Sequence, residues 1–187
     1  MLNTILGSLS SGVAASTSSY ESIASYTATG SETSFTFNSV PGTYASVQIR
    51  GLFRTSNTSG TNWFTLIQFN SDTGANYSYH GLRGNGSVAS AYGSSSETYG
   101  LAIDSGDSAT STLGWGVGIV DIHDYASTTK NKTIRSFTGF DENGDGFVEL
   151  VSGGWFSTSA ITSIKLFFSP GTFSAGSVFS LYGIKGA

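Results

Sequence analysis

The sequence predicts an all-β protein, built as an antiparallel two-sheet β-sandwich. Short β-branched and aromatic runs recur along the 187 residues, separated by clusters of Gly, Ser, Asn and Asp. Helical periodicity is nearly absent. Aromatic residues make up 13% of the chain, and because they recur throughout and need burial, they argue against a disordered low-complexity chain.

The N-terminal residues 1–18 are expected to form an extended arm ahead of one sandwich domain, residues 19–187. The arm lacks the leading Lys or Arg and the unbroken apolar run of a secretory signal. A Ser- and Gly-rich terminal arm frays unless something holds it. We therefore expect it to dock on a neighbouring protein through its apolar side chains, which are Leu2, Ile5, Leu6, Leu9 and Val13.

The first strands are expected at residues 20–28 and 33–38, which we interpret as a neighbouring pair. Residues 45–54 alternate apolar and polar side chains, as a strand with one buried face does. Residues 62–69 are apolar on both faces, which is typical of a central strand.

Residues 70–100 are polar and rich in Gly and Ser, and we interpret them as a long loop with only brief strand-like pieces, such as residues 77–79. Tyr-rich loops make adaptable contact surfaces, because tyrosine offers contact area at low entropic cost. A poorly packed surface loop is the alternative. The candidate binding residues are Tyr77, Tyr79, His80, Tyr92 and Tyr99.

Residues 113–125 form the most regular predicted strand. Leu113, Trp115, Val117 and Ile119 share one face, and glycines at 114, 116 and 118 occupy the other. A face of glycines lets another backbone or an aromatic ring approach closely.

The segment from residue 133 to 156 predicts a β-hairpin with its turn at residues 141–146. Strands at 161–168 and 178–184 complete the chain, giving nine or ten strands. That number fits a jelly-roll sandwich, and an immunoglobulin-like sandwich is the alternative.

The hairpin turn matches the first half of a calcium loop, with oxygen ligands at Asp141, Asn143 and Asp145. The twelfth position is Ser152 instead of glutamate, and Glu149 at the ninth is a weaker substitute. A polar turn is therefore favoured over a calcium site. No other cofactor is expected.

Asp121, His123 and Asp124 end one strand, and with His80 they could bind a metal or act in acid–base chemistry. A hydrogen-bonded strand end is favoured, because two histidines without cysteine offer few ligands for a transition metal. No catalytic residue is assigned and the chain is expected not to be an enzyme. A glycan hydrolase is the remote alternative.

Net charge and hydropathy argue against two classes of partner, nucleic acids and membranes. The net charge is −4 without a basic patch, so no nucleic-acid partner is expected. No apolar run approaches the length of a membrane span, so no membrane partner is expected either. The chain contains no cysteine, which excludes disulfides and thiolate metal sites.

A set of short motifs, spread over nearly the whole chain, resembles small structural proteins of tailed bacteriophages, including those of cyanophages. In order along the chain they are YESIA at residues 20–24, VQIR at 47–50, FNSDTGANY at 69–77 with His80, VDIHDY at 120–125, KTIRS at 132–136, GGW at 153–155, AITSI at 160–164 and FSLYGIKG at 179–186.

This resemblance implies a virion component without enzymatic activity. We expect a decoration or cement protein on the outside of the capsid, forming a homo-oligomer, in particular a trimer, and contacting the major capsid protein and other virion proteins. The alternative is a receptor- or carbohydrate-binding module at a tail fibre or tail tip, with the Tyr-rich segment as its binding surface.

Overall fold

The computed structural model describes residues 18–56, 63–105 and 114–186. Twelve β-strands lie in these ranges, which contain no helix and so none that could cross a bilayer. The strands form two antiparallel sheets. The predicted all-β, two-sheet fold is therefore confirmed. The predicted assembly residues of the arm, Leu2 to Val13, lie outside the described residues.

The large sheet has eight strands. In spatial order they are β1 (Tyr20–Thr27), β12 (Val178–Ile184), β3 (Ser46–Phe53), β8 (Gly116–His123), β9 (Lys132–Asp141), β10 (Gly146–Trp155), β5 (Tyr77–Gly84) and β6 (Ala89–Glu97). The small sheet has four strands, which are β2 (Ser34–Phe37), β11 (Ile164–Phe167), β4 (Trp63–Phe69) and β7 (Gly100–Ser105).

Eight of the strands make a framework that crosses repeatedly between the sheets. Its large-sheet part is β1-β12-β3-β8 and its small-sheet part is β2-β11-β4-β7. The other four strands are two hairpins, β5–β6 and β9–β10, and both extend the large sheet beyond β8. The hairpin predicted at residues 133–156 is β9–β10.

The first two strands do not pair with each other, contrary to the expectation. β1 pairs with β12 in the large sheet, and β2 pairs with β11 in the small sheet. Each strand thereby gains a partner from the C-terminal part of the chain. The backbone amide of Ala28, just after β1, also donates to the carbonyl of Ser177, just before β12, at 2.8 Å.

Aromatic rings fill the space between the sheets. Phe53 and Phe179 point inward from the large sheet, and Phe35 and Phe173 meet them, with ring centroids 5.1 to 6.1 Å apart. Phe53, Phe173 and Phe179 are fully buried. Burying each such ring stabilises the fold by roughly 1.5–3 kcal/mol, so this cluster is the main link between the sheets.

Residues 70–100 are not a long loop, because they contain β5 and β6. Tyr77 of β5 is a core residue with 0% exposure and not part of a binding surface. Its hydroxyl accepts the Phe69 amide at 2.9 Å, and its ring stacks near Trp155. Trp155 in turn donates its indole N–H to Asp72 at 2.7 Å.

β7 is an edge strand of the small sheet, and side chains of β9 make hydrogen bonds to its free edge where a neighbouring strand would otherwise pair. Ser136 donates its hydroxyl to the carbonyl of Ala102, and the amide of Asp104 donates to the Thr138 hydroxyl at 2.9 Å. On β8, a Cβ atom at Gly116 would overlap the Asp104 carbonyl. The predicted close approach of a backbone to the glycine face is therefore confirmed.

Candidate functional site

The predicted calcium turn is held by its own hydrogen bonds. The Asp141 carboxylate accepts the Asn143 amide at 2.7 Å, and the Asp145 carboxylate accepts the Gly146 amide at 2.8 Å. Asn143 has a φ of 59°, the left-handed conformation that Asn tolerates in tight turns. These contacts are those of a polar hairpin turn.

Glu149, the fourth predicted calcium ligand, points away from this turn. Its side chain is 1% exposed and lies between the sheets, 3.6 Å from the Arg83 guanidinium. Across the described ranges, no group of three or more His, Asp or Glu side chains is placed to share a metal ion. Calcium binding by Asp141, Asn143 and Asp145 stays a prediction.

The carboxylates near the end of β8 have structural partners. Asp121 accepts hydrogen bonds from Gln48 at 2.7 Å and from Arg135 at 2.8 Å. Burial acts to raise the Asp121 pKa, but these two hydrogen bonds outweigh it and lower the pKa. Asp124 accepts a bond from Lys130 at 3.0 Å. The favoured interpretation, a hydrogen-bonded strand end, is confirmed.

The five predicted binding residues do not form one surface. Tyr77 is buried, and His80 is exposed on the outer face of the large sheet. Tyr99 packs edge-on against Phe167 of the small sheet, with ring centroids 6.3 Å apart. Only Tyr79 and Tyr92 come together, on the inner face of the β5–β6 hairpin, with ring centroids also 6.3 Å apart.

A cleft of about 330 Å³ opens beside these two tyrosines. Its floor is the inner face of the β5–β6 hairpin, and its wall is contributed by β4 and β7 of the small sheet. The Arg83 guanidinium lies over the Tyr92 ring at 5.7 Å from its centroid. The residues that line the cleft are Phe64, Tyr79, Arg83, Ser90, Ala91, Tyr92 and Leu101.

Behind the cleft, two buried carboxyl groups meet across the sandwich. Asp104 of β7 is 0% exposed and Glu149 of β10 is 1% exposed. Within the described residues, neither Glu149 oxygen nor Asp104 Oδ2 has another hydrogen-bond partner of good geometry. Burying two facing negative charges is costly, which favours a proton shared by the pair.

The environment of the pair favours its protonated form. Burial, together with the negative charge of Glu149, raises the Asp104 pKa well above its ordinary value. Burial likewise raises the Glu149 pKa, although Arg83 acts to lower it. Burial and the Glu149 charge also raise the pKa of Tyr92, so its hydroxyl stays protonated. Asp104, Glu149 and Arg83 together then carry no net charge.

This arrangement fits binding better than acid–base catalysis. The two carboxyls do not line the cleft, whereas Arg83, 3.6 Å from Glu149, and Tyr92 do. A general acid or base must reach its substrate directly or through one water molecule. What the cleft presents is aromatic surface and hydrogen-bond donors.

The carboxyl pair was not predicted from the sequence, although a signal for half of it exists. Glu149 shares its strand face with Phe147 and Val151, so an acidic side chain occupies a core-facing position of an otherwise apolar strand. The position of Asp104 on β7, opposite Glu149, can be found only from the strand order of the structure.

Comparison with known proteins finds no matching family model, no matching curated protein and no matching solved structure.

Proposed function

We propose that this protein is a structural component of a bacteriophage particle, most specifically a decoration protein on the outside of the head, and that it is not an enzyme. The observation that carries the proposal is the strand order of the eight-strand framework. Its alternation between the sheets, β1-β12-β3-β8 facing β2-β11-β4-β7, is what a jelly roll with two inserted hairpins would have. Jelly rolls build viral capsid and lectin domains.

Other features support the same role. Only 11% of the residues are charged, so the surface relies on hydroxyl and backbone groups for hydration. Stability comes from aromatic packing without disulfides, because the chain has no cysteine. The ordered motifs that resemble phage structural proteins point to a virion, with the major capsid protein as the partner.

Immunogold electron microscopy of intact phage particles, using antibodies against this protein, tests the location. We expect many gold particles over each head, with pre-immune serum as the control. Labelling confined to the tail would replace the decoration role with the adhesion role below. Particles without label, from a lysate in which the free protein is detected, would overturn both.

A carbohydrate-binding module of a tail fibre is the second candidate, and the cleft beside Tyr79 and Tyr92 favours it. Aromatic faces and hydrogen-bond donors are the groups that hold sugar rings in such sites. On a glycan array we expect binding to a defined glycan that Tyr79→Ala weakens at least tenfold. Tyr99→Ala, a tyrosine outside the cleft, is the matched control. If the two variants bind alike, the cleft is not the sugar site.

A further inference from the structure

The outer face of the large sheet carries an exposed apolar surface that its strand register assembles. Directly opposed residues of antiparallel strands share a face. Ile119, Phe137, Leu150 and Leu82 form one row across β8, β9, β10 and β5. Leu52, Val117 and Val148 belong to the adjacent row. We call these seven residues the apolar outer face, and each is between 39% and 61% exposed.

Between β8 and β5 the other members of the two rows are Gly139 and Gly84, without a charged side chain. On β3 the row of Ile119 continues to Arg50, whose guanidinium lies over the rings of Tyr20 and Tyr182. Single exposed apolar residues are ordinary, but a contiguous apolar patch above a few hundred Å² is rare on a monomer. A sheet face with seven neighbouring exposed apolar side chains is therefore unusual for a surface that contacts only solvent. They resemble the inner face of a sandwich that lacks its second layer.

The two ends of this face carry different charges. Along β9, Arg135 follows the apolar rows on one side and Asp141 follows them on the other, about 20 Å apart. Arg135 is 60% exposed beyond its contact with Asp121. Asp141 belongs to the acidic turn with Glu142 and Asp145, which has no basic residue. A two-fold axis through the apolar rows would set Arg135 of each copy against the turn of the other.

We propose that the apolar outer face binds a second copy of this chain, sheet against sheet. The apolar rows are the centre of a larger surface, because the whole outer side of the sheet spans about 34 Å over eight strands and about 27 Å over eight residues along a strand. Contact over that face reaches the roughly 800 Å² per partner of a standard stable interface. Under a two-fold rotation the apolar centre meets itself and the exposed part of the Arg135 guanidinium meets the acidic turn, which is what an isologous dimer requires.

This dimer goes beyond the proposed function and is tested without phage particles. Sedimentation velocity of the full chain over a range of micromolar concentrations should show a monomer–dimer equilibrium. Phe137→Asp, which puts a charge in the middle of the face, should weaken dimerisation at least tenfold. Since Phe137 is 58% exposed, the variant should keep the wild-type circular dichroism and melting temperature.

Phe156→Asp is the matched control. Phe156 is 57% exposed but lies past the end of β10, away from the two rows, so its replacement should leave the dimer intact. Equal loss in both variants would overturn the assignment of the face. A chain that stays monomeric at all concentrations would overturn it too, and the face would then be covered by a different protein or by another segment of this chain. A trimer would contradict the two-fold arrangement.

Charge reversal tests the identity of the occupant. Arg135→Asp and Asp141→Arg should each weaken the dimer, because each sets like charges together twice in one assembly. Arg135→Asp also loses the ion pair with Asp121, so its melting temperature is compared with that of the wild type to separate the two effects. The double variant should recover most of the lost affinity, since both contacts are restored with reversed signs. If the double variant is weaker than either single variant, the partner does not present this same surface and the two-fold pairing is wrong.

Discussion

Replacing Gly116 with alanine should destabilise the protein by about 3 kcal/mol, the upper end of the usual cost of overpacking. The new Cβ atom would overlap the backbone carbonyl of Asp104 where β8 passes β7. A flexible side chain could move aside, but this carbonyl belongs to a strand that is also fixed by the Thr138 hydroxyl. Urea unfolding followed by tryptophan fluorescence measures the change.

Gly84→Ala is the control for this prediction. Gly84 is also a strand glycine of the large sheet, but the nearest atom to a new Cβ would be the Val88 carbonyl oxygen at 4.0 Å. We expect a change within about 0.5 kcal/mol, as for an ordinary surface substitution. Similar unfolding free energies for the two variants would mean that β7 and β8 are not in close contact at Gly116.

The stability of the protein should fall as the pH rises above about 5, beyond the ordinary carboxyl pKa. The pKa values of Asp104 and Glu149 are raised in the folded state by burial, so the folded chain retains a proton that the unfolded chain has released. Their contribution is fully present below the ordinary carboxyl pKa of about 4 and is lost as the pH rises through the raised values. Melting temperatures across this pH range measure the loss.

Asp104→Asn should flatten this pH dependence. The amide keeps a hydrogen-bond donor facing Glu149, but no second negative charge can form between the sheets. Asp141→Asn removes an exposed carboxylate from the hairpin turn and should leave the wild-type slope. Glu32 does not interfere, because hydrogen bonds from Thr29 lower its pKa to about 2 and its titration lies below the range measured. A wild-type slope in Asp104→Asn would show that the pair does not share a proton.

The sequence predicts the parts of the fold that short-range chemistry determines. Turn residues at 141–146 place the β9–β10 hairpin correctly, and the alternation of apolar side chains places β3 and β12. The glycine face of β8 is also predicted, since bare backbone needs a close neighbour. In each case the signal lies within about ten consecutive residues.

Most of the strand pairings that the sequence does not predict join residues far apart in the chain. β1 and β2 are close in sequence, yet each takes its partner from β12 or β11 at the other end of the chain. Ser, Gly and Tyr give β5 and β6 no clear alternation, so the sequence of residues 70–100 predicts a loop. β5 is a strand despite this composition, because its backbone pairs with β10. The sequence therefore predicts the cleft residues Tyr79 and Tyr92 as binding residues but does not separate them from Tyr77, which the strand pairing buries in the core.

The two hairpins that widen the large sheet bear on how such a molecule can diversify over evolutionary time. Each hairpin leaves the eight-strand framework and returns to it between consecutive framework strands, β4 to β7 and β8 to β11. Changes in hairpin length or sequence therefore need not alter the order in which the chain crosses between the sheets. Most of the apolar outer face and the floor of the cleft lie on these hairpins. The surfaces proposed to bind other molecules can thus vary while the strand order of the framework stays the same.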